Sequence, residues 1–226
     1  MKPTTIIQDR KEFQTLKIVR KALLSCGILS SLLWIGGDIL AAMLYEGYSY
    51  TSQSVSELSA IGAPTRSLLI PLNTIYSVLL FSFGVGVLAT GGQKRALRFT
   101  GILLIAHAIV ASVSAFFPMN LRGAEMTITD TMHIIFYSAI PLIILLIIVF
   151  GATANGKWFR LYSIGTILIL ILFGALAAIA APRIAAGLPT PWMGIYERIN
   201  VYGYMLWVMV LAIILLRTEG KRAKLN

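Results

Sequence analysis

The chain has 226 residues, 58% hydrophobic and 12% charged, with a formal net charge of +10 and one cysteine. That length leaves room for one apolar bundle and excludes a separate soluble domain, while the lone Cys26 excludes an intramolecular disulfide and a thiol-rich metal site. Six apolar runs, at 22–44, 67–90, 99–117, 131–152, 161–181 and 199–216, are each about long enough to cross the ~30 Å hydrocarbon core as a helix.

Residues 1–21 carry six Lys and Arg together with Asp9 and Glu12 and are long for a secretory leader, and the run at 22–44 exceeds a signal h-region. The run at 22–44 then reads as a retained, signal-anchor-like span. It contains Asp38 about six residues from its far end, roughly 9 Å deep at 1.5 Å per residue. A carboxyl at that depth costs about 2 kcal/mol or more unless it is neutral, paired or wet, so Asp38 points into the bundle. There it either bonds a neighbouring helix or lines a cavity.

The loop at 45–66 is rich in Ser and Tyr. Ser54 and Glu57 stand at capping-box spacing for a short helix, and the same stretch offers Ser54 and Ser56 as nucleophiles. In the second span Arg66, Asn73 and Ser77 share one helical stripe that cannot face lipid cheaply. The third span places His107 near its middle, and the fourth opens on Asp130 and His133. These histidines differ in depth, which argues against bis-histidine haem ligation. Asp130 and His133 are spaced i, i+3 at a helix start, so Asp130 either orients the imidazole or caps the helix behind Thr127. The loop between the third and fourth spans presents Arg122 on the turn Pro118-Met-Asn-Leu-Arg-Gly123. Adjacent Glu197 and Arg198 at the start of the sixth span project to different sides, and each needs a partner on another element.

Lys and Arg number six in 1–21, three in 91–98, two in 153–160 and four in 217–226, against only Arg66, Arg122, Arg183 and Arg198 on the opposite side. By the positive-inside rule both termini are cytoplasmic. The basic excess is therefore topology and gives no reason to expect a nucleic-acid partner. The organisation is a basic segment at 1–21, a six-helix transmembrane domain at 22–216 and a basic tail at 217–226. No phosphate-binding loop, His-Glu-x-x-His helix or Gly-x-Ser-x-Gly elbow occurs, and no cofactor is named by any motif.

The run Ser54-Val-Ser-Glu-Leu-Ser-Ala-Ile-Gly-Ala-Pro-Thr-Arg66, the turn Phe117-Pro-Met-Asn-Leu-Arg-Gly123 followed by His133, and Gly194-Ile-Tyr-Glu-Arg198 resemble the bacterial and archaeal membrane family catalogued as domain of unknown function 998. The resemblance implies a compact six-helix bundle in a prokaryotic plasma membrane and asserts no activity. A three-histidine zinc site of the alkaline-ceramidase type is excluded, because the chain has two histidines.

The expectation is an all-α integral membrane protein, a six-transmembrane-helix bundle with cytoplasmic termini. Its partners are membrane lipids or a small amphiphile, and its oligomeric state is open. The leading function is an outward polar pocket that binds a lipid headgroup through Asp38, Glu57, Arg66, Asn73, Arg122, Glu197 and Arg198, without a metal. An alternative is a membrane-embedded lipid hydrolase or transferase with Ser56 as nucleophile, His133 as base and Asp130 as its orienter. A further alternative is proton-coupled transport using Asp38 and His107.

Overall fold

The computed structural model describes the backbone of residues 3–225 and the side chains of 14–221. It contains six helices: α1 (Pro3–Leu44), α2 (Arg66–Thr90), α3 (Arg95–Ser114), α4 (Ile128–Ala154), α5 (Lys157–Ala185) and α6 (Met193–Leu225). Each is long and apolar enough to cross a membrane, and no strand occurs among the described residues. Most helices run past their apolar runs, because residues such as Arg95, Lys157 and Glu197 extend the backbone ladder after the hydrocarbon ends. α3 instead stops before Phe116 and Phe117, where the chain turns toward Pro118. The basic segments expected at 1–21 and 217–226 lie partly outside the described residues, and the described parts continue α1 and α6.

Arg20, just before the apolar run of α1, pairs with Glu219, just beyond the apolar run of α6, at 3.1 Å. Both chain ends therefore belong to one end of the bundle, here the terminal end, and the opposite end is the loop end. Each helix packs against its neighbours in sequence and α6 closes on α1, giving a ring whose thinnest interface lies between α4 and α5.

The main apolar core lies toward the terminal half, with Leu24, Phe83, Val87, Leu104, Ile147, Trp207 and Leu211 among its members, and a smaller one at the loop end joins Ala41, Leu58 and Leu69. In lipid, helices gain little from hydrophobic burial and associate through close packing. Gly101 provides it: a Cβ there would stand 2.8 Å from the Leu88 nitrogen and 2.9 Å from the Gly84 carbonyl oxygen, so α3 lies directly on the α2 backbone. Polar atoms in this half satisfy themselves locally. Trp207 Nε1 donates to Ser163 Oγ at 2.8 Å, and Ser163 Oγ donates to the Phe159 carbonyl at 2.8 Å.

The loop half is built differently. The first loop, containing a 3-10 helix at Val55–Ser59, folds over the bundle and is tied to the other two loops of that end. Ile61 N donates to the Met119 carbonyl at 2.9 Å, Thr190 Oγ1 to Ser52 at 2.7 Å, and Gly194 N to Thr51 at 3.0 Å. Gly194 is required here, since any Cβ would collide with the carbonyls of Tyr50 and Gln53.

Candidate functional site

Three polar centres occupy the loop end, and they differ in how completely their groups are spent. Asp38 and Arg198 are each 3% exposed. Arg198 Nε and Nη2 grip the two carboxylate oxygens at 2.9 and 3.1 Å. The remaining donors reach the Tyr50 carbonyl at 2.7 Å, the Gly194 carbonyl at 3.3 Å and Tyr48 Oη at 3.0 Å, and the guanidinium carbon lies 3.6 Å from the Tyr50 ring centre. A guanidinium has five N–H donors, so Arg198 has none left for a ligand. Tyr202 Oη donates to Asp38 Oδ2 at 2.6 Å and meets Tyr50 Oη at 2.9 Å. Burial holds the Tyr48 phenol above its ordinary value, so it stays neutral and donates to the Ser54 carbonyl at 2.8 Å.

The second centre is the bidentate pair of Arg122 with Glu57, both contacts at 3.0 Å. Glu57 Oε2 also accepts from Ser54 N at 2.6 Å, the carboxylate half of a capping box. Ser54 Oγ, although it overlies the same helix start, makes no hydrogen bond of good geometry. Burial pushes the Glu57 carboxyl up, but Arg122 and the Ser54 amide outweigh it and hold the group below its ordinary value of 4.5. Arg122 Nη1 spends one donor on the Leu188 carbonyl at 2.8 Å and faces a cleft of about 400 Å³ lined with Ser52, Gln53, Pro189, Thr190 and Pro191.

The third centre joins Ser56 to His133. Ser56 Oγ lies 3.2 Å from His133 Nε2, and His133 Nδ1 lies 3.0 Å from the Phe117 carbonyl oxygen. A carbonyl only accepts, so Nδ1 carries the proton and the Nε2 lone pair of the neutral ring faces the serine hydroxyl. The Tyr137 ring stacks on the imidazole at 4.1 Å and fixes its plane. This is the arrangement that general-base activation of an alcohol needs.

The other candidates are placed as follows. Asp130 does not orient His133; its oxygens accept from Asn120 N at 2.7 Å, Asn120 Nδ2 at 2.6 Å, Thr127 N at 2.8 Å and Thr127 Oγ1 at 2.7 Å. It caps α4 and pins the preceding turn, which leaves the orienting contact to Phe117. Arg66 bonds the Ser59 carbonyl at 2.7 Å and forms no ion pair among the described residues. Glu197 accepts from Val55 N at 2.5 Å, next to Ser56. Asn73 is half-buried and makes none of these contacts. His107 sits deeper, with Nδ1 3.0 Å from Tyr204 Oη. Among the described residues no three His, Cys, Asp or Glu stand close enough together to hold a metal ion. The Phe117 carbonyl and the tyrosines at 48, 50, 137 and 202 are participants that residue-type reasoning missed. Tyr48 and Tyr50 could have been flagged by the density of tyrosines in the first loop, whereas Tyr137, Tyr202 and a backbone carbonyl carry no such signature.

A family model described as a protein of unknown function, DUF998, matches residues 28–214. The chain belongs to the DUF998 family. The match covers all three loop-end centres, so each is built within the DUF998 region of a multi-pass membrane protein. No curated protein and no solved structure matches the chain.

Proposed function

We propose that this DUF998 protein is a membrane-embedded acyl hydrolase or transferase acting at the loop end, with Ser56 as nucleophile and His133 as general base. The observation that carries this reading is the Ser56 to His133 contact with the imidazole tautomer set by Phe117. In the reaction, His133 Nε2 takes the hydroxyl proton as Ser56 Oγ attacks the substrate carbonyl carbon. The same proton then passes to the leaving alcohol or amine, whose bond to the acyl carbon breaks. Water, deprotonated by Nε2, releases the acyl group and restores the serine. An acceptor alcohol in place of water makes the step a transfer.

The alternative of a headgroup site gripped by arginines loses Arg198, whose donors are saturated, and keeps Arg122 and Arg66. Proton-coupled transport would rest on Asp38 and His107, which share no partner: Asp38 is held by Arg198 and Tyr202, and His107 by Tyr204. The fifteen-to-four distribution of basic residues supports an external loop end.

The test is hydrolysis of p-nitrophenyl butyrate by the purified full-length chain. Ser56→Ala and His133→Asn should each lower the rate about 100-fold or more, and the double variant should be no worse than either single one, since the two act as a unit. A Ser56→Ala rate equal to wild type would reject the reading. It would leave the contact as a tether between the first loop and α4.

A further inference from the structure

The ring of helices is not closed evenly. No residue of α4 from Thr131 to Leu146 and none of α5 from Ile171 to Arg183 is buried, whereas both helices bury positions nearer the terminal end, such as Ile147, Ile148 and Leu170. The two helices therefore bury nothing between them over this stretch of the loop half, and the buried residue nearer the loop end on each, Asp130 and Ile184, lies close to the helix terminus. The sequence of α5 explains the space, for residues 174–181 read Gly-Ala-Leu-Ala-Ala-Ile-Ala-Ala and offer little volume to fill it. These two helices also carry the most apolar windows of the six, so the opening faces hydrocarbon.

The opening leads to the candidate site. Tyr137, one turn along α4, stacks on the His133 ring at 4.1 Å and is 49% exposed. The exposed Tyr137 ring therefore lies beside the imidazole of the Ser56 to His133 contact, at the top of the opening. From His133 down to Ile143, where α4 begins to pack against the core, the cleft runs about 15 Å at 1.5 Å per residue. Half of a ~30 Å hydrocarbon core is about 15 Å, so the cleft spans the depth of one leaflet and is shut below it.

Resting on the acyl-transfer reading of Ser56 and His133, we propose that the α4–α5 cleft is a lateral portal that admits the acyl chain of a lipid from the loop-side leaflet. The registration between chain and carbonyl supports this occupant. A lipid lying in the leaflet has its acyl carbonyl where hydrocarbon gives way to headgroups, and the serine hydroxyl stands at the corresponding top of the cleft. The substrate class is then a membrane lipid carrying an acyl ester or amide, with its polar head toward the Arg122 cleft.

The test uses the full-length Ser56→Ala chain in nanodiscs, with a lysophospholipid carrying a diazirine at the end of its acyl chain, and maps the photo-adducts by mass spectrometry. Adducts should concentrate on residues 134–146 and 171–179, be competed away by the unlabelled lysophospholipid, and be lost when Ala178→Trp fills the space. Adducts spread evenly around all six helices would show boundary lipid only and overturn the portal. A cross-link between two copies through α4 and α5 would assign the cleft to self-association and overturn it as well. Turnover cannot influence this readout. Ester hydrolysis without cleft adducts therefore removes the lipid portal and keeps the reaction, while cleft adducts without hydrolysis keep the portal and remove the reaction.

Discussion

At the terminal end, Gly101 sets one helix backbone against another and Trp207 fills the core with a single hydrogen bond to Ser163. At the loop end, Asp38 and Arg198 lie buried among three tyrosines, and Glu57 and Arg122 clamp the first loop to the second. The first half gains its stability from shape and tolerates no added atom where helices touch, as at Gly84, Gly101 and Gly151. The second gains its specificity from paired charges and directed hydrogen bonds, with Ser54 Oγ the buried exception, and is punished by the loss of one partner. The difference suits a protein whose terminal half is a scaffold and whose loop half holds reactive groups in place.

The largest effect should come from unbalancing the buried ion pair. Asp38→Ala leaves Arg198 uncompensated and should cost about 3–5 kcal/mol in an unfolding titration, whereas Asp38→Leu combined with Arg198→Met should recover most of that loss. If the double variant is as unstable as the single one, the loop half depends on packing like the terminal half, and the contrast fails.

Next in size, Gly101→Leu should cost about 1–3 kcal/mol by forcing α3 off the α2 backbone. No compensating polar change at the loop end should restore it.

A smaller effect, about 1.5 kcal/mol at neutral pH, is expected for Glu57→Gln, which removes the charge from the Arg122 clamp. The folded-state pKa of Glu57 lies below 4.5, so its ionised form stabilises the protein. That contribution is complete above 4.5 and disappears as pH falls through the lower folded value. The stability gap between wild type and Glu57→Gln should therefore be constant near neutrality and close on acidification. A gap that widened in acid would contradict the clamp.

Much of this division is legible in the residues themselves. Six spans follow from hydropathy, and the inward direction of Asp38 follows from the cost of a carboxyl at its depth. The Ser54 and Glu57 spacing correctly places a short helix start. Partner choice is less legible, because Arg122 finds Glu57 and Arg198 finds Asp38 across long sequence separations that only the packed ring fixes. Asp130 looks like an orienter of His133 from its spacing alone. Yet its oxygens are consumed by Asn120 and Thr127, and the orienting atom is a main-chain carbonyl that any residue at 117 could supply. The α4–α5 opening leaves only a faint trace in the small residues of α5. Small residues serve close packing as readily as they leave space, so the trace alone decides nothing.

The most direct test of the loop end as a reaction site is labelling of the purified full-length protein with a fluorophosphonate, followed by peptide mapping. Ser56 should carry the adduct, and His133→Asn should abolish it, because the hydroxyl is activated only through Nε2. Labelling of Ser56 that survives unchanged in His133→Asn, or its absence from the wild-type protein, would contradict the assignment.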